Sequence, residues 1–214
     1  MTENKEVKDL RVLSIITLGN SQVGKTQLSH CFIDEKFELN SLTTIAYDLR
    51  TKTIQLKNGE KIRLKIWDTA GQERFQRLAL QYVVNAQGIY LVYDITNKVS
   101  FQQIDNWINL ASQKVDVNKI PLIIVGNKND LETSRVITYE EGKNLAQKYN
   151  ATFYETSALK NINVQESFLD LIERVYENVK DLDNQNNDVI KLKQEAHLKK
   201  NNKGGCCSKK NKNE

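Results

Sequence analysis

The sequence predicts a doubly wound α/β fold on a six-stranded, mostly parallel sheet with one antiparallel edge strand and helices on both faces. Three observations predict it. Short, nearly continuous apolar runs recur at 12–18, 62–67, 89–93, 122–125 and 152–154, as strands buried on both faces require. Helical patterns lie between them: 100–111 opens on Ser100 and places Phe101, Ile104, Ile108 and Ala111 on one face, and 164–179 does the same with Val164, Phe168, Leu171, Ile172, Val175 and Val179. Finally, the runs 53–56 and 62–66 both alternate and flank Asn58-Gly59, the strongest short hairpin signal, so this pair should be antiparallel.

Taken in chain order, the first strand runs into Gly19-Asn20-Ser21-Gln22-Val23-Gly24-Lys25-Thr26, a complete G-x-x-x-x-G-K-[ST] loop that opens the first helix. A buried strand, a tight Gly-rich turn and a helix N-terminus make an anion cradle, because the first helical N–H groups have no partner within the helix. Gly19 and Gly24 let the backbone curl around phosphate. Lys25 is expected to reach the terminal phosphates and the Thr26 hydroxyl to hold Mg²⁺. Ser21, Gln22, Val23 and Gln27 complete the candidate phosphate contacts.

Four more motifs follow in a fixed order. Thr44 lies between the first helix and the second strand. Trp67-Asp68-Thr69-Ala70-Gly71-Gln72-Glu73, Asn127-Lys128-Asn129-Asp130 and Glu155-Thr156-Ser157-Ala158 each follow an apolar strand. The set resembles a small GTPase of the Ras superfamily. The block 68–75 and the string Leu91-Val92-Tyr93-Asp94-Ile95-Thr96 most resemble the Rab branch. The resemblance spans about residues 10–180, and Gly204-Gly205-Cys206-Cys207 adds to it. It implies a P-loop NTPase G domain that binds GTP, hydrolyses it slowly to GDP and phosphate, and cycles between a GTP-bound, membrane-active form and a GDP-bound form to regulate vesicle traffic.

The residues take their expected roles from chemistry and resemblance together. Thr26 and Thr44 would supply two hydroxyl ligands to one Mg²⁺, a hard cation that takes oxygen donors, with Asp68 acting through water. Thr44 is chosen because the family places this threonine eighteen residues after Thr26. Gln72 is the catalytic candidate, orienting the attacking water while the Gly71 N–H senses the γ-phosphate. No built-in arginine finger is apparent, so a GTPase-activating protein is expected to supply one. Asp130 can accept from both N1–H and the 2-amino group of guanine, where adenine offers no donor. Asn127 braces the loops, the Lys128 stem covers the base, and the Ala158 N–H meets guanine O6, with Ser157 and Leu159 alongside. Phe37 matches the family's aromatic at the base edge; core packing is the alternative role for it. His30 and Cys31 receive no role.

Composition bounds the rest. A chain of 214 residues with 39% apolar content suits one domain plus an extension. No run approaches the ~20 apolar residues of a membrane span, and three cysteines, two of them adjacent, form no disulfide framework. Charge is uneven: 191–214 holds eight Lys against two Glu, net +6, leaving −2 for 1–190. Residues 1–9 are expected to be a flexible N-terminal segment and 181–214 a disordered basic tail attracted to anionic membranes. The tail has no aromatic residue to stack on a base, so nucleic acid is not an expected partner. Cys206 and Cys207 are the prenylation candidates, although seven residues follow the pair where the family normally has about three or fewer. The resemblance further implies an exchange factor, a GDP-dissociation inhibitor, a prenyltransferase escort and effectors that read the switch loops, on the cytoplasmic face of an endomembrane with a cytosolic pool. Gln22, Ser41, Ala46, Tyr47 and Leu49 depart from the usual Rab pattern, as does the stretch Tyr82-Val83-Val84-Asn85-Ala86. A Ras- or Rho-like signalling GTPase, a GTP-binding module with little turnover, and a P-loop ATPase or kinase remain the competing readings.

Overall fold

A computed structural model describes residues 10–37, 44, 47–72 and 76–201, with residues 186–201 described as backbone only. Residues 1–9, Ser41, Cys206 and Cys207 therefore lie outside the described residues. Six strands form one sheet in the order β2-β3-β1-β4-β5-β6. These are β1 (Arg11–Leu18), β2 (Tyr47–Gln55), β3 (Lys61–Thr69), β4 (Gly88–Asp94), β5 (Leu122–Asn127) and β6 (Thr152–Thr156). All neighbours are parallel except β2 and β3. Their hairpin turns where expected: the Gly59 N–H donates to the Leu56 carbonyl at 2.9 Å, and Gly59 takes the left-handed φ of 86° that closes such a turn. The mixed sheet is thus as the apolar runs predict.

The helices are α1 (Lys25–Asp34), α2 (Gln76–Val83), α3 (Lys98–Gln102), α4 (Ile104–Ser112), α5 (Tyr139–Lys148) and α6 (Val164–Asn201). Strand alternation divides the core between two layers. Ile16, Leu18, Leu91 and Tyr93 pack with Ala79 and Val83 of α2 and with Ile104, Trp107 and Ile108 of α4. On the other face Phe168 of α6 stacks between Phe32 of α1 and Tyr90 of β4, with ring centroids 4.5 and 4.1 Å away. Phe168 is fully buried. Phe168→Ala is therefore expected to destabilise the fold by about 3–5 kcal/mol, read as a lower midpoint in denaturant unfolding.

Two helices differ from the sequence reading. The predicted helix at 100–111 is two segments. Asn97, not Ser100, caps the first, its side chain accepting from the Ser100 N–H at 3.1 Å. Ser100 is buried, and its hydroxyl accepts from the Asp94 N–H at 3.0 Å. The second difference is one of length: helical backbone continues to Asn201, past residue 180. The sequence offers nothing to stop it, because no Gly or Pro occurs from Val164 to Lys203. Contacts nevertheless divide the chain after Tyr176, and the described part of the second unit, 177–201, is this helix alone.

Candidate functional site

The site forms where the C-terminal ends of β1, β3, β5 and β6 meet the loops that follow them. This is where an open α/β sheet places its ligand crevice. A cavity of about 410 Å³ is lined by Ser21, Gln22, Gly24, Lys25, Thr26, Gln27, Phe37, Thr44, Gly71, Asn127, Lys128, Asp130, Ala158 and Leu159, all predicted from sequence. Thr69, Ala70 and Leu131 also line it and were not predicted. Gly19, Val23, Asp68, Gln72 and Ser157 lie outside the lining.

The loop 19–24 is held by close backbone approach. Gly19 has φ 138°, and a Cβ there would run into the Val92 carbonyl. Gly24 has φ 97°, and a Cβ there would meet the Asn127 amide. Gln22 also takes a left-handed φ of 65°, an uncommon conformation for a residue with a side chain. Trp107 anchors the loop from α4, donating its indole N–H to Asn20 Oδ1 at 2.9 Å.

The Lys25 ammonium turns back onto its own loop, donating to the carbonyls of Gly19 and Asn20 at 2.9 and 2.8 Å. Burial pulls its pKa down to about 8, with the Asp68 carboxylate opposing that shift. Asp68 is fully buried. Burial pushes its pKa up, against hydrogen bonds from Thr26 and Thr17 and the charge of Lys25. A buried cation on carbonyl oxygens has not had its charge neutralised, so an anion entering here would be favoured.

Three oxygen donors converge beside it. Thr26 Oγ1 donates to Asp68 Oδ2 at 2.6 Å and lies 2.8 Å from Thr44 Oγ1. Thr44 Oγ1 is 3.5 Å from the same carboxylate oxygen, and Thr17 Oγ1 holds the other one at 3.0 Å. Among the described residues no cluster of three His, Cys, Asp or Glu side chains is gathered to hold a metal. Two hydroxyls and a carboxylate, all hard oxygens, nevertheless fit Mg²⁺ with phosphate and water completing its shell.

The other wall is built on β5 and β6. Asn127 Nδ2 donates to the Val23 carbonyl at 2.8 Å, while its Oδ1 accepts from Thr156 Oγ1 at 3.1 Å and the Ala158 N–H at 3.3 Å. One buried amide thus ties the phosphate loop to the β6 loop. The Ala158 N–H, expected on the ligand, here faces Asn127. Lys128 sits at φ 69° with its ammonium 2.6 Å from Asp94 Oδ2. Ser157 donates its hydroxyl to Asp130 Oδ1 at 2.5 Å, which explains its place behind the lining. Phe37 lines the cavity and is 36% exposed, so it is not a core residue. Gln72 is half-buried, one residue beyond Gly71.

Sequence reasoning missed several supports. Asp94 was quoted only as part of a motif string, yet it holds Lys128. Cys31, given no role, donates its thiol to the Ala158 carbonyl at 3.2 Å. Nothing in local sequence marks either contact, since the partners are far away in the chain.

The model of the Ras family matches residues 14–177. The chain is 39% identical over 197 residues to Ras-related protein Rab-10 of Caenorhabditis elegans, spanning 92% of this chain and 96% of that protein. It is 44% identical over 161 residues to Ras-related protein Rab-15 of Homo sapiens, spanning 75% of each. With Ras-related protein SEC4 of Saccharomyces cerevisiae it shares 39% identity over 168 residues, spanning 78% of this chain and 77% of that protein.

Proposed function

Because the chain belongs to the Ras family of small GTPases, within its Rab branch, we propose that it binds GTP and GDP in the cavity described above and hydrolyses GTP to regulate vesicle traffic. The observation that carries this reading is one cavity lined both by the phosphate loop with Lys25 and Thr26 and by the base-selecting pair Lys128 and Asp130. An adenine nucleotide would set N1 and C2–H, which offer no N–H donor, where guanine sets N1–H and its 2-amino group, leaving the Asp130 carboxylate uncompensated.

In this reading the loop N–H groups and Lys25 hold the β- and γ-phosphates, and Asp130 reads guanine. Thr26 and Thr44 would hold Mg²⁺, with Asp68 behind them. The metal, when bound, neutralises charge that builds on the phosphate oxygens. Gln72 orients the water and the Gly71 N–H meets the γ-phosphate. A Cβ on Gly71 would collide with the Asn20–Ser21 backbone, so this residue passes close enough to the phosphate loop to report on its contents. Loss of the γ-phosphate then releases Thr44 and Gly71 together, and the loops that carry them relax. Turnover is slow without an activating protein that supplies an arginine. An exchange factor, a GDP-dissociation inhibitor and effectors act on the same loops.

Competition tests the guanine assignment. Unlabelled GTP is expected to displace bound labelled GDP, while ATP at a thousandfold higher concentration leaves it in place, on the order of the 10⁴–10⁵ discrimination such hydrogen-bonding sites reach. Comparable displacement by the two nucleotides would overturn it.

Among the described residues, no helix is long and apolar enough to cross a membrane. We propose instead that Cys206 and Cys207 carry two prenyl chains, delivered by an escorted transferase, with the Lys-rich tail adding roughly 1 kcal/mol per Lys near an anionic surface. Replacing both cysteines by Ser is expected to release the protein to the cytosol whichever nucleotide it holds. Intact mass of the native protein checks this: a mass without isoprenoid, and membrane binding that survives the double substitution, would place the anchor elsewhere.

A further inference from the structure

Trp107 of α4 carries a polar group that packing alone does not require. Its ring is fully buried in the layer shared with Ala79, Leu80 and Val83 of α2, where a phenylalanine would fill much of the same space with no polar atom. The indole brings an N–H with it, and burying that donor without a partner would cost free energy. The partner is 87 residues away in the chain: the N–H donates to Asn20 Oδ1 at 2.9 Å.

Three contacts of the phosphate loop meet at Asn20. The residue follows the end of β1 at Leu18 and precedes the start of α1 at Lys25, so neither a strand ladder nor a helix fixes its backbone. Its carbonyl accepts from the Lys25 ammonium at 2.8 Å, next to the Gly19 carbonyl at 2.9 Å. The same peptide group lies against Gly71, where a Cβ would collide with it. Its side chain takes the third contact, the one that comes from the core.

We propose that Trp107 is a positioning residue for the bound nucleotide and acts through Asn20. The indole N–H holds the Asn20 peptide in place, so that Lys25 meets the phosphates from a fixed position and Gly71 keeps its close approach to the loop. Nucleotide release is thereby slowed. This role rests on the nucleotide reading of the cavity, and it falls to a residue outside the cavity lining. The physical reason is preorganisation. A loop already held in its bound shape gives up less freedom when the ligand arrives, and the ligand leaves more slowly for it. The same side chain packs in the layer that holds α2, the helix next along the chain from Gly71, so the loop and that helix are both referred to one buried ring.

A role in packing alone makes a different forecast, and a double-mutant cycle on the full chain separates the two. The probe is GDP with a fluorescent label, loaded on each protein and chased with excess unlabelled GDP. Trp107→Phe and Asn20→Ala are each expected to speed release by about fivefold, the loss of one hydrogen bond. The double variant is expected to release at about the rate of either single, because the indole has nothing left to act through. The midpoint of denaturant unfolding, measured on the same samples, behaves otherwise: Trp107→Phe lowers it in both backgrounds, since ring volume is lost in each. Release from Trp107→Phe at the native rate would overturn the proposal. So would a double variant whose acceleration is the product of the two singles, about twenty-fivefold, because Trp107 would then act without Asn20. Should Trp107→Phe not fold, Asn20→Ala alone decides, and unchanged release from it would overturn the proposal too. A native chain that retains no labelled GDP faults the nucleotide reading instead, and that loading is measured first.

Discussion

Replacing Gln72 by Leu is expected to slow GTP hydrolysis by about a hundredfold or more, with GTP affinity changed by no more than about twofold. The argument starts from what the chemistry lacks. Phosphoryl transfer to water needs no covalent intermediate, so catalysis is positioning and charge stabilisation. Gln72 lies outside the cavity lining, one residue past Gly71, which is within it. In the proposed role, a side chain at that station would touch little of a bound nucleotide and would act on the water beside it. A carboxamide can accept from that water and donate to the phosphate oxygen it approaches, whereas Leu has the bulk without either function. Single-turnover hydrolysis and nucleotide affinity, measured on the same preparations, separate the two effects. Unchanged hydrolysis, both alone and with an activating protein, would remove Gln72 from catalysis. A parallel loss of affinity would make it a binding residue.

Legibility in the sequence followed the range of the interactions. The phosphate loop was readable because strand, turn and helix start are contiguous, and its glycines are explained by backbone approach at Gly19 and Gly24. The hairpin was readable because Asn58-Gly59 specifies its own turn. β2 was only half readable: Tyr47 to Thr53 are exposed or half-buried on both faces, so no alternation marks them, and they form a strand because β3 offers a ladder. Pairings such as Lys128 with Asp94, Ser157 with Asp130 and Cys31 with Ala158 were invisible for the same reason. Each joins residues that only the folded sheet brings together. At the C-terminal end two signals compete: the composition is poor in apolar residues, yet without Gly or Pro a helix has nothing to end it, and helical backbone reaches Asn201.

Asp130→Asn is expected to lower affinity for GTP and GDP by on the order of a hundredfold or more, and to redirect the site toward xanthine nucleotides. Guanine presents two donors on the edge that the carboxylate would meet, N1–H and the 2-amino group. An ionised Asp130 accepts from both, and its Oδ1 already accepts the Ser157 hydroxyl at 2.5 Å, which fixes the orientation of the group. The amide of Asn keeps one acceptor and turns an NH₂ toward a guanine donor, leaving two hydrogen-bond donors facing each other. At roughly 1–3 kcal/mol for each such unsatisfied group, the loss reaches the stated size. Xanthine carries a carbonyl where guanine has its amine, so the same NH₂ finds an acceptor there. Relative affinities of the two proteins for GDP and xanthosine diphosphate make the check, and the fold provides its control, since Asp130 lies on a surface loop with no buried residue in its own helical turn. A variant that lost affinity for both nucleotides equally would show that Asp130 shapes the loop. One that kept GDP affinity would show that guanine is selected elsewhere. Only an inverted preference fits a carboxylate that reads the base directly.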